Sequence, residues 1–169
     1  MNFDHKNLFF GIVIIVISGC VNSADQQTTA YPTQLCEKAK YGQLDIGSVS
    51  ISDSHINAYL LDCAVSVVVA EVSLQSGLHK GDQTTNINKQ IIADYFLSQQ
   101  LDLTYKNEDG NNVLMSIVIS FLPDSWKQKA ITNLINKGVD LKAKNNSGDT
   151  ALDIAKFKGN QIIIEMLSY

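Results

Sequence analysis

The sequence predicts an all-α fold built from stacked helix–turn–helix units. Three observations support this prediction: helix-capping signals near the C-terminus, a second copy of the same pattern upstream, and enough apolar residues for a core. Of the 169 residues, 45% are hydrophobic and 18% are charged, a composition that argues against disorder. The length suits one domain.

The capping signals lie in the closing stretch NNSGDTALDIAKFKGNQIIIEMLSY. Thr150 suits the N-cap of a helix, and Asp153 can reach back to it in a capping box. Gly159 suits the left-handed residue that ends a helix, and residues 161–167 supply a second, apolar helix. Because two helices this short cannot bury their own apolar faces, they need a neighbouring unit on which to stack.

The neighbouring unit is predicted directly upstream. Residues 107–110 repeat the turn that opens at Asn145, and 38 residues separate Asn107 from Asn145. Val113, Leu114 and the run MSIVIS are typical of a first helix, and AITNLIN is typical of a second. The segment FLPDSWKQK is predicted to be an insertion between them.

These units resemble ankyrin repeats. The family's G-x-T-P-L-H-x-A core is matched at four positions: Gly148, Thr150, Leu152 and Ala155. The proline and histidine that are usual in the family are replaced by Ala151 and Asp153. The resemblance implies a short ankyrin-repeat solenoid of about three to four divergent helix–turn–helix units, spanning residues 34–169 and carrying insertions between helices.

The two units before these are less regular. IIADYFLSQQLDLTYKN matches a second helix and its exit, and NAYLLDCAVSVVVAEV is predicted to be the first helix, with SLQSGLHKGDQTTNIN inserted between them. LCEKAKYGQLDI resembles the first helix of a degenerate N-terminal unit. The β-branched runs SVVVAEV and SIVISF leave open an α/β fold for residues 50–125, although their place in the repeat favours helices.

The N-terminus has the form of a bacterial lipoprotein signal. Lys6 and the amino terminus precede ten apolar residues, 8–17, a run shorter than the ~20 residues that span a bilayer. The stretch ISGC, ending at Cys20, resembles the lipobox, which implies cleavage after residues 1–19 and lipid attachment at Cys20. An ordinary signal peptide with a coincidental cysteine is the alternative.

Residues 20–33 are polar and are predicted to be a flexible tether between the lipid and the folded domain. By analogy with enteric lipoproteins, Val21 after the cysteine indicates transfer to the outer membrane. The expected location is therefore the bacterial cell envelope, with the protein lipid-anchored at the outer membrane and facing the periplasm.

The other two cysteines, Cys36 and Cys63, are disulfide candidates in that oxidising compartment. Two buried free thiols are the alternative. His55 and His79 lie at no recognisable ligand spacing from the cysteines, so no metal site is predicted.

Charge and motifs argue against nucleic-acid binding and catalysis. The net charge is −4 and all 13 basic residues are lysines, whereas nucleic acid needs clustered cations and phosphate grips commonly use the arginine fork. The polar cluster SISDSHIN is contiguous, whereas the members of a catalytic triad converge in space, so we predict a turn there. No enzyme activity, cofactor or small-molecule substrate is expected.

Two surfaces are predicted to bind a protein partner. Turn tips form the binding face in the ankyrin family, so the resemblance assigns this role to Tyr105, Lys106, Asn107, Glu108, Asn111, Lys142, Lys144, Asn146 and Asp149. The second surface is the insertion that contains Phe121 and Trp126, because insertions on one edge often form a binding face and aromatic side chains dominate interfaces. Packing of Trp126 beneath its own loop is the alternative.

Small lipoproteins with binding repeats resemble the immunity proteins that are paired with type VI secretion effectors. The expected function is therefore to bind and neutralise a toxic effector, such as a secreted phospholipase, by occluding its active site. The alternative is an assembly factor or modulator of a resident envelope enzyme, acting as a protein-binding scaffold. Both functions need a complementary surface and no chemistry of their own.

Overall fold

The computed structural model describes residues 24–66 and 83–168, with side chains for residues 32–66 and 84–168. Within these residues the chain forms seven α-helices, one short 3-10 helix and no strand. The all-α prediction is thereby confirmed. The signal segment, Cys20, the run 67–72 and most of the first predicted insertion lie outside the described residues.

The bounds of the helices are α1 Ala24–Lys40, α2 Ser54–Val65, α3 Gln83–Ser98, α4 Val113–Ile119, α5 Asp124–Asn136, α6 Ala151–Lys158 and α7 Gln161–Leu167, and the 3-10 helix spans Ile46–Ser48. The connections within the last two helix pairs, α4–α5 and α6–α7, are short, whereas those from α3 to α4 and from α5 to α6 are longer. None of the helices in residues 24–66 and 83–168 is long and apolar enough to cross a membrane.

The helices pack in pairs, and the pairs contact each other in chain order. α2 packs on α3, α4 on α5 and α6 on α7, while α4 also contacts both α2 and α6, and α3 contacts α5. Fully buried alanines such as Ala58, Ala64 and Ala155 let these helices approach closely. Large side chains, among them Phe96 and Leu114, fill the space between them, and each stabilises the fold by about 1.5–3 kcal/mol.

The predicted caps are present. The Thr150 hydroxyl accepts a hydrogen bond from the Asp153 backbone N–H at 3.2 Å, and an Asp153 carboxylate oxygen accepts one from the Thr150 N–H at 3.0 Å. Gly159 ends α6 with φ +66°. Asn112 caps α4 by accepting a bond from the Met115 N–H, so two successive units start their first helix in the same way.

The run MSIVIS is helical as far as Ile119. The strand alternative is therefore wrong for this run, because the Asn112 cap and burial from Val113 to Val118 on all sides let β-branched residues sit in a helix. Most of the other β-branched run, SVVVAEV, lies outside the described residues.

Two predicted boundaries are corrected. α1 begins at Ala24, ten residues before the predicted domain start at residue 34, so helical backbone occupies residues 24–33 of the predicted tether. The polar composition indicated a flexible tether, yet alanine and glutamine are good helix formers.

The second correction concerns the predicted insertion FLPDSWKQK. α5 already begins at Asp124, so only residues 120–123 connect α4 to α5. Pro123 lacks a backbone N–H, and the start of a helix is where that donor would have no partner. The extra residues therefore lengthen a helix instead of forming a loop. Similarly, residues 83–88 of the earlier predicted insertion belong to α3.

A disulfide joins α1 to α2. Cys36 and Cys63 are bonded, with their Cα atoms 5.3 Å apart, which confirms the predicted pairing over the alternative of free thiols. Both residues are buried, so the bond lies in the core between the two helices.

Candidate functional site

The two predicted turn tips, residues 105–111 and residues 142–149, have the same pattern of internal hydrogen bonds. In the first tip, the Asn107 side-chain oxygen accepts hydrogen bonds from the N–H groups of Asp109 and Asn111. In the second, the Asn145 oxygen accepts them from Ser147 and Asp149. Each of these residues in the second tip lies 38 positions after the corresponding residue in the first tip. The 38-residue repeat in the sequence therefore corresponds to a repeated pattern of hydrogen bonds in the structure.

The two tips are also bonded to each other. Asn146 donates its backbone N–H to the Asp109 carbonyl at 3.0 Å and its side-chain amide to the Glu108 carbonyl at 2.9 Å. Lys106 Nζ donates to the Lys144 carbonyl at 2.8 Å. Asn145 Nδ2 donates to Asn111 Oδ1. Many of the predicted partner-binding groups are thus engaged within the protein.

The predicted tip residues fall into two groups by exposure. Tyr105 and Asn111 are buried, and Asn107 is half-buried, so they hold the tips in place. The exposed members are Lys106, Glu108, Lys142, Lys144, Asn146 and Asp149. Sequence position alone does not separate these groups. Tyr105 and Asn107 are covered by contacts with Asp62 on α2, which lies more than 40 residues upstream.

A carboxylate that sequence analysis missed anchors the first tip. Asp62 on α2 accepts hydrogen bonds from Ser116 Oγ, from Asn107 Nδ2 at 3.2 Å and from Tyr105 Oη at 3.5 Å. Burial raises the pKa of the Asp62 carboxyl above its ordinary value, and the three donors oppose that shift. A carboxylate in the apolar stretch NAYLLDCAV was the sequence signal that could have identified it.

Replacing Asp62 with asparagine should flatten the dependence of stability on pH. Because the folded state raises this pKa, it binds the proton more tightly than the unfolded state does, and the contribution of Asp62 to stability falls as pH rises from the ordinary carboxyl range near 4. Asparagine keeps an oxygen to accept from Ser116 and Asn107. Asp62→Asn should therefore match or exceed wild-type stability at pH 7, measured by urea denaturation between pH 3 and 7.

Asp153→Asn is the matched control for that series. The hydrogen bond from the Thr150 side chain lowers the pKa of Asp153, so its contribution to stability is present at neutral pH and disappears as pH falls. The two variants should change the slope of stability against pH in opposite directions. A slope that Asp62→Asn leaves unchanged would contradict the assignment.

The cluster SISDSHIN was predicted to be a turn, but only residues 50–53 precede the helix, and residues 54–57 are the first turn of α2. Asp53 caps the helix by accepting bonds from the N–H groups of His55 and Ile56. His55 Nδ1 lies 3.0 Å from Asp102 Oδ2, and its ring meets Tyr105 edge-on. Hydrogen bonds from Thr104 and His55 lower the pKa of Asp102 to about 2. These contacts connect α2 to the first tip.

Of the two aromatic residues on the second predicted surface, only one is exposed to solvent. Phe121 is 75% exposed, whereas Trp126 is only 7% exposed and donates its indole N–H to Asp94 Oδ1 at 2.8 Å. Trp126 lies in the first turn of α5 and packs toward α3, where Asp94 supplies the acceptor. It is therefore buried, as in the alternative considered from the sequence, and is not presented to a partner.

A pocket adjoins Phe121. It has a volume of about 410 Å³ and lies between the α4–α5 connection and the α6–α7 connection. We call it the lysine pocket; its main lining residues are Phe121, Leu122, Asp124, Lys127, Lys158 and Asn160. Lys158 Nζ stands 5.5 Å from the centroid of the Phe121 ring. No pattern in the sequence indicates Lys158, because its place beside Phe121 depends on how α6 packs on α4.

The lysine pocket carries an excess of positive charge. Lys127 is only 6% exposed and its Nζ lies 3.2 Å from Asp124 Oδ1. Burial, and after it the nearby Lys127 ammonium, lower the pKa of Lys158. The pocket lining thus contains two lysines and one carboxylate, and the carboxylate is paired with Lys127 alone. Asn160 Nδ2 also donates to that carboxylate at 2.9 Å.

Residues 24–66 and 83–168 contain no group of three or more histidine, cysteine or carboxylate side chains that could hold a metal ion. A scan against protein-family models finds no match for the chain, and neither does a search of curated proteins.

Proposed function

We propose that this chain is an ankyrin-type, protein-binding module that neutralises a toxic effector in the bacterial envelope. The ankyrin assignment is supported by the 38-residue correspondence of the turn hydrogen bonds and by the order of helix contacts from α2 to α7. A stack of this kind offers an extended, preformed surface. In this proposal a lipid on Cys20 holds that surface at the membrane where the effector acts.

The observation that carries the binding proposal is the exposure of Phe121. A phenylalanine that is 75% exposed beside a pocket contrasts with the apolar side chains of the flanking helices α4 and α5, most of which are buried. Phe157 on the adjacent α6 is 92% exposed. Exposed aromatic side chains at a cavity rim are typical of interaction sites. In this proposal the surface around Phe121 covers the mouth of the effector's active site.

Replacing Phe121 with alanine should weaken binding to the effector by about tenfold to a hundredfold, since burial of such a ring contributes about 1.5–3 kcal/mol. Folding stability should change by less than about 0.5 kcal/mol, because the ring is exposed. Calorimetry with the product of the neighbouring gene measures the first quantity. Survival of cells that co-express the chain with that toxin measures neutralisation.

Tyr41→Ala is the matched control, because Tyr41 is a half-exposed aromatic residue at the end of α1, away from the lysine pocket. It should leave both affinity and protection unchanged. Equal binding by Phe121→Ala and wild type would contradict the proposed face. Binding that leaves the partner active would instead support an assembly factor or modulator.

A further inference from the structure

We infer that the lysine pocket binds a carboxylate of the partner protein, presented by an acidic side chain whose neighbour in the partner packs on Phe121. This inference rests on the proposed protein-binding function and adds the chemistry of the recognised group. It follows from the arrangement of cations, donors and apolar surface around one cavity.

The pocket contains more hydrogen-bond donors than its own acceptors can satisfy. Each lysine ammonium has three N–H donors. A single oxygen, Asp124 Oδ1, accepts from both Lys127 and Asn160. Lys158 has no carboxylate partner among the described residues, and its contact is the face of the Phe121 ring. The pocket therefore has more positive charge and more donors than its own residues use.

The burial of Lys127 also favours an incoming carboxylate. A lysine that is 6% exposed has lost most of its hydration, and a buried charge is stable only when it is paired. Its present partner, Asp124, is half-exposed and is shared. A second carboxylate entering the cavity would lie between Lys127 and Lys158 and reduce the repulsion between them.

The start of α5 adds to the positive electrostatic potential in the lysine pocket. Pro123 occupies the N-cap position and makes no side-chain cap hydrogen bond, so the first-turn N–H groups of α5 are not capped by a side chain. The N-terminus of a helix carries a partial positive charge that stabilises anions. This 13-residue helix begins at Asp124, on the wall of the cavity.

The shape of the lysine pocket indicates whether its anion comes from a membrane or from a protein. The charge lies in a concavity and one of its two lysines is buried, so a flat bilayer surface cannot reach both ammonium groups. A carboxylate on a protruding side chain can enter, while the exposed Phe121 ring at the rim is available to an adjacent apolar residue. The occupant that fits is therefore an acidic segment of a protein.

The test is a titration of the full-length, ¹⁵N-labelled chain with N-acetyl-glutamate amide, followed by two-dimensional NMR. We expect saturable shifts confined to the amides of residues 120–127 and 158–160. Lys158→Gln should weaken this binding by about threefold to fivefold, the range of a partly exposed ion pair. Asp124→Asn removes the internal competitor and should strengthen binding by a similar factor. Lys38→Gln, at an exposed lysine of α1 outside the pocket, should have no effect.

Three results would overturn the inference. The first is the absence of saturable shifts, or identical shifts in Lys158→Gln. The second is equal or tighter binding of inorganic phosphate in the same pocket, which would show a general anion site. The third is Lys158-dependent binding to phosphatidylglycerol vesicles, which would assign the patch to a membrane. Because the small-molecule titration needs no effector, its failure is distinguishable from a failure of the effector to bind.

Discussion

Replacing Gly110 with alanine is expected to lower the free energy of unfolding by about 2–4 kcal/mol, one of the two largest effects predicted for this chain. Gly110 has φ +75°, and a Cβ there would lie 2.8 Å from the Asn146 backbone nitrogen and closer still to its side-chain oxygen. The methyl group would force apart the two bonded turn tips. Urea denaturation of the variant measures the loss.

Gly148→Ala provides the matched control, because Gly148 holds the equivalent place 38 residues later. Its φ is +85°, and a Cβ there would meet nothing within 4 Å. Only the backbone strain of a left-handed alanine remains, about 1–2 kcal/mol. The difference between the two variants isolates the clash with Asn146. Equal losses would show that the tips do not need this close approach.

Removing the disulfide is expected to have the second large effect. Cys36 and Cys63 are 27 residues apart in sequence, and a cross-link closing a loop of that size stabilises a protein by about 3–4 kcal/mol by restricting the unfolded chain. The double variant Cys36→Ala/Cys63→Ala should therefore unfold at a lower urea concentration, with α1 separating from α2.

Reduction of the wild-type chain under native conditions provides the control for this variant, since it removes the bond without removing the sulfur atoms from the core. Both treatments should lower stability by similar amounts, and the reductant should not affect the double variant. A wild-type chain with the same denaturation midpoint before and after reduction would contradict the expected contribution. Urea denaturation curves with and without reductant, followed by circular dichroism, measure it.

The sequence predicted the features of this structure that depend on neighbours along the chain. Thr150, Asp153 and Gly159 were assigned correctly as capping residues, because capping depends on a few successive residues. The helical state of residues 113–119 was also predicted, from the repeat register instead of from propensity, which favoured a strand. Cys36 and Cys63 were disulfide candidates as an isolated pair in an expected oxidising compartment, with free thiols as the alternative.

The features that were missed depend on residues far apart in sequence. Trp126 is buried because Asp94 on another helix accepts its indole N–H, and no local pattern indicates that contact. The Asp62 site brings together α2, the first turn tip and α4. The lysine pocket likewise combines α5 with the end of α6. Sequence analysis located Phe121 on this face, but not the cations beside it.

The bonds between successive units have a consequence for how this protein can evolve. Three of them join residues 38 positions apart: Lys106 to Lys144, Asn146 to Glu108, and Lys137 to Gln99. In each case the acceptor is a main-chain carbonyl. The side chains of Lys144, Glu108 and Gln99 take no part in these bonds, so they can change without loss of the link. Mutation can therefore alter the charge pattern on the exposed edge, and with it the range of partners recognised, while the architecture stays constant.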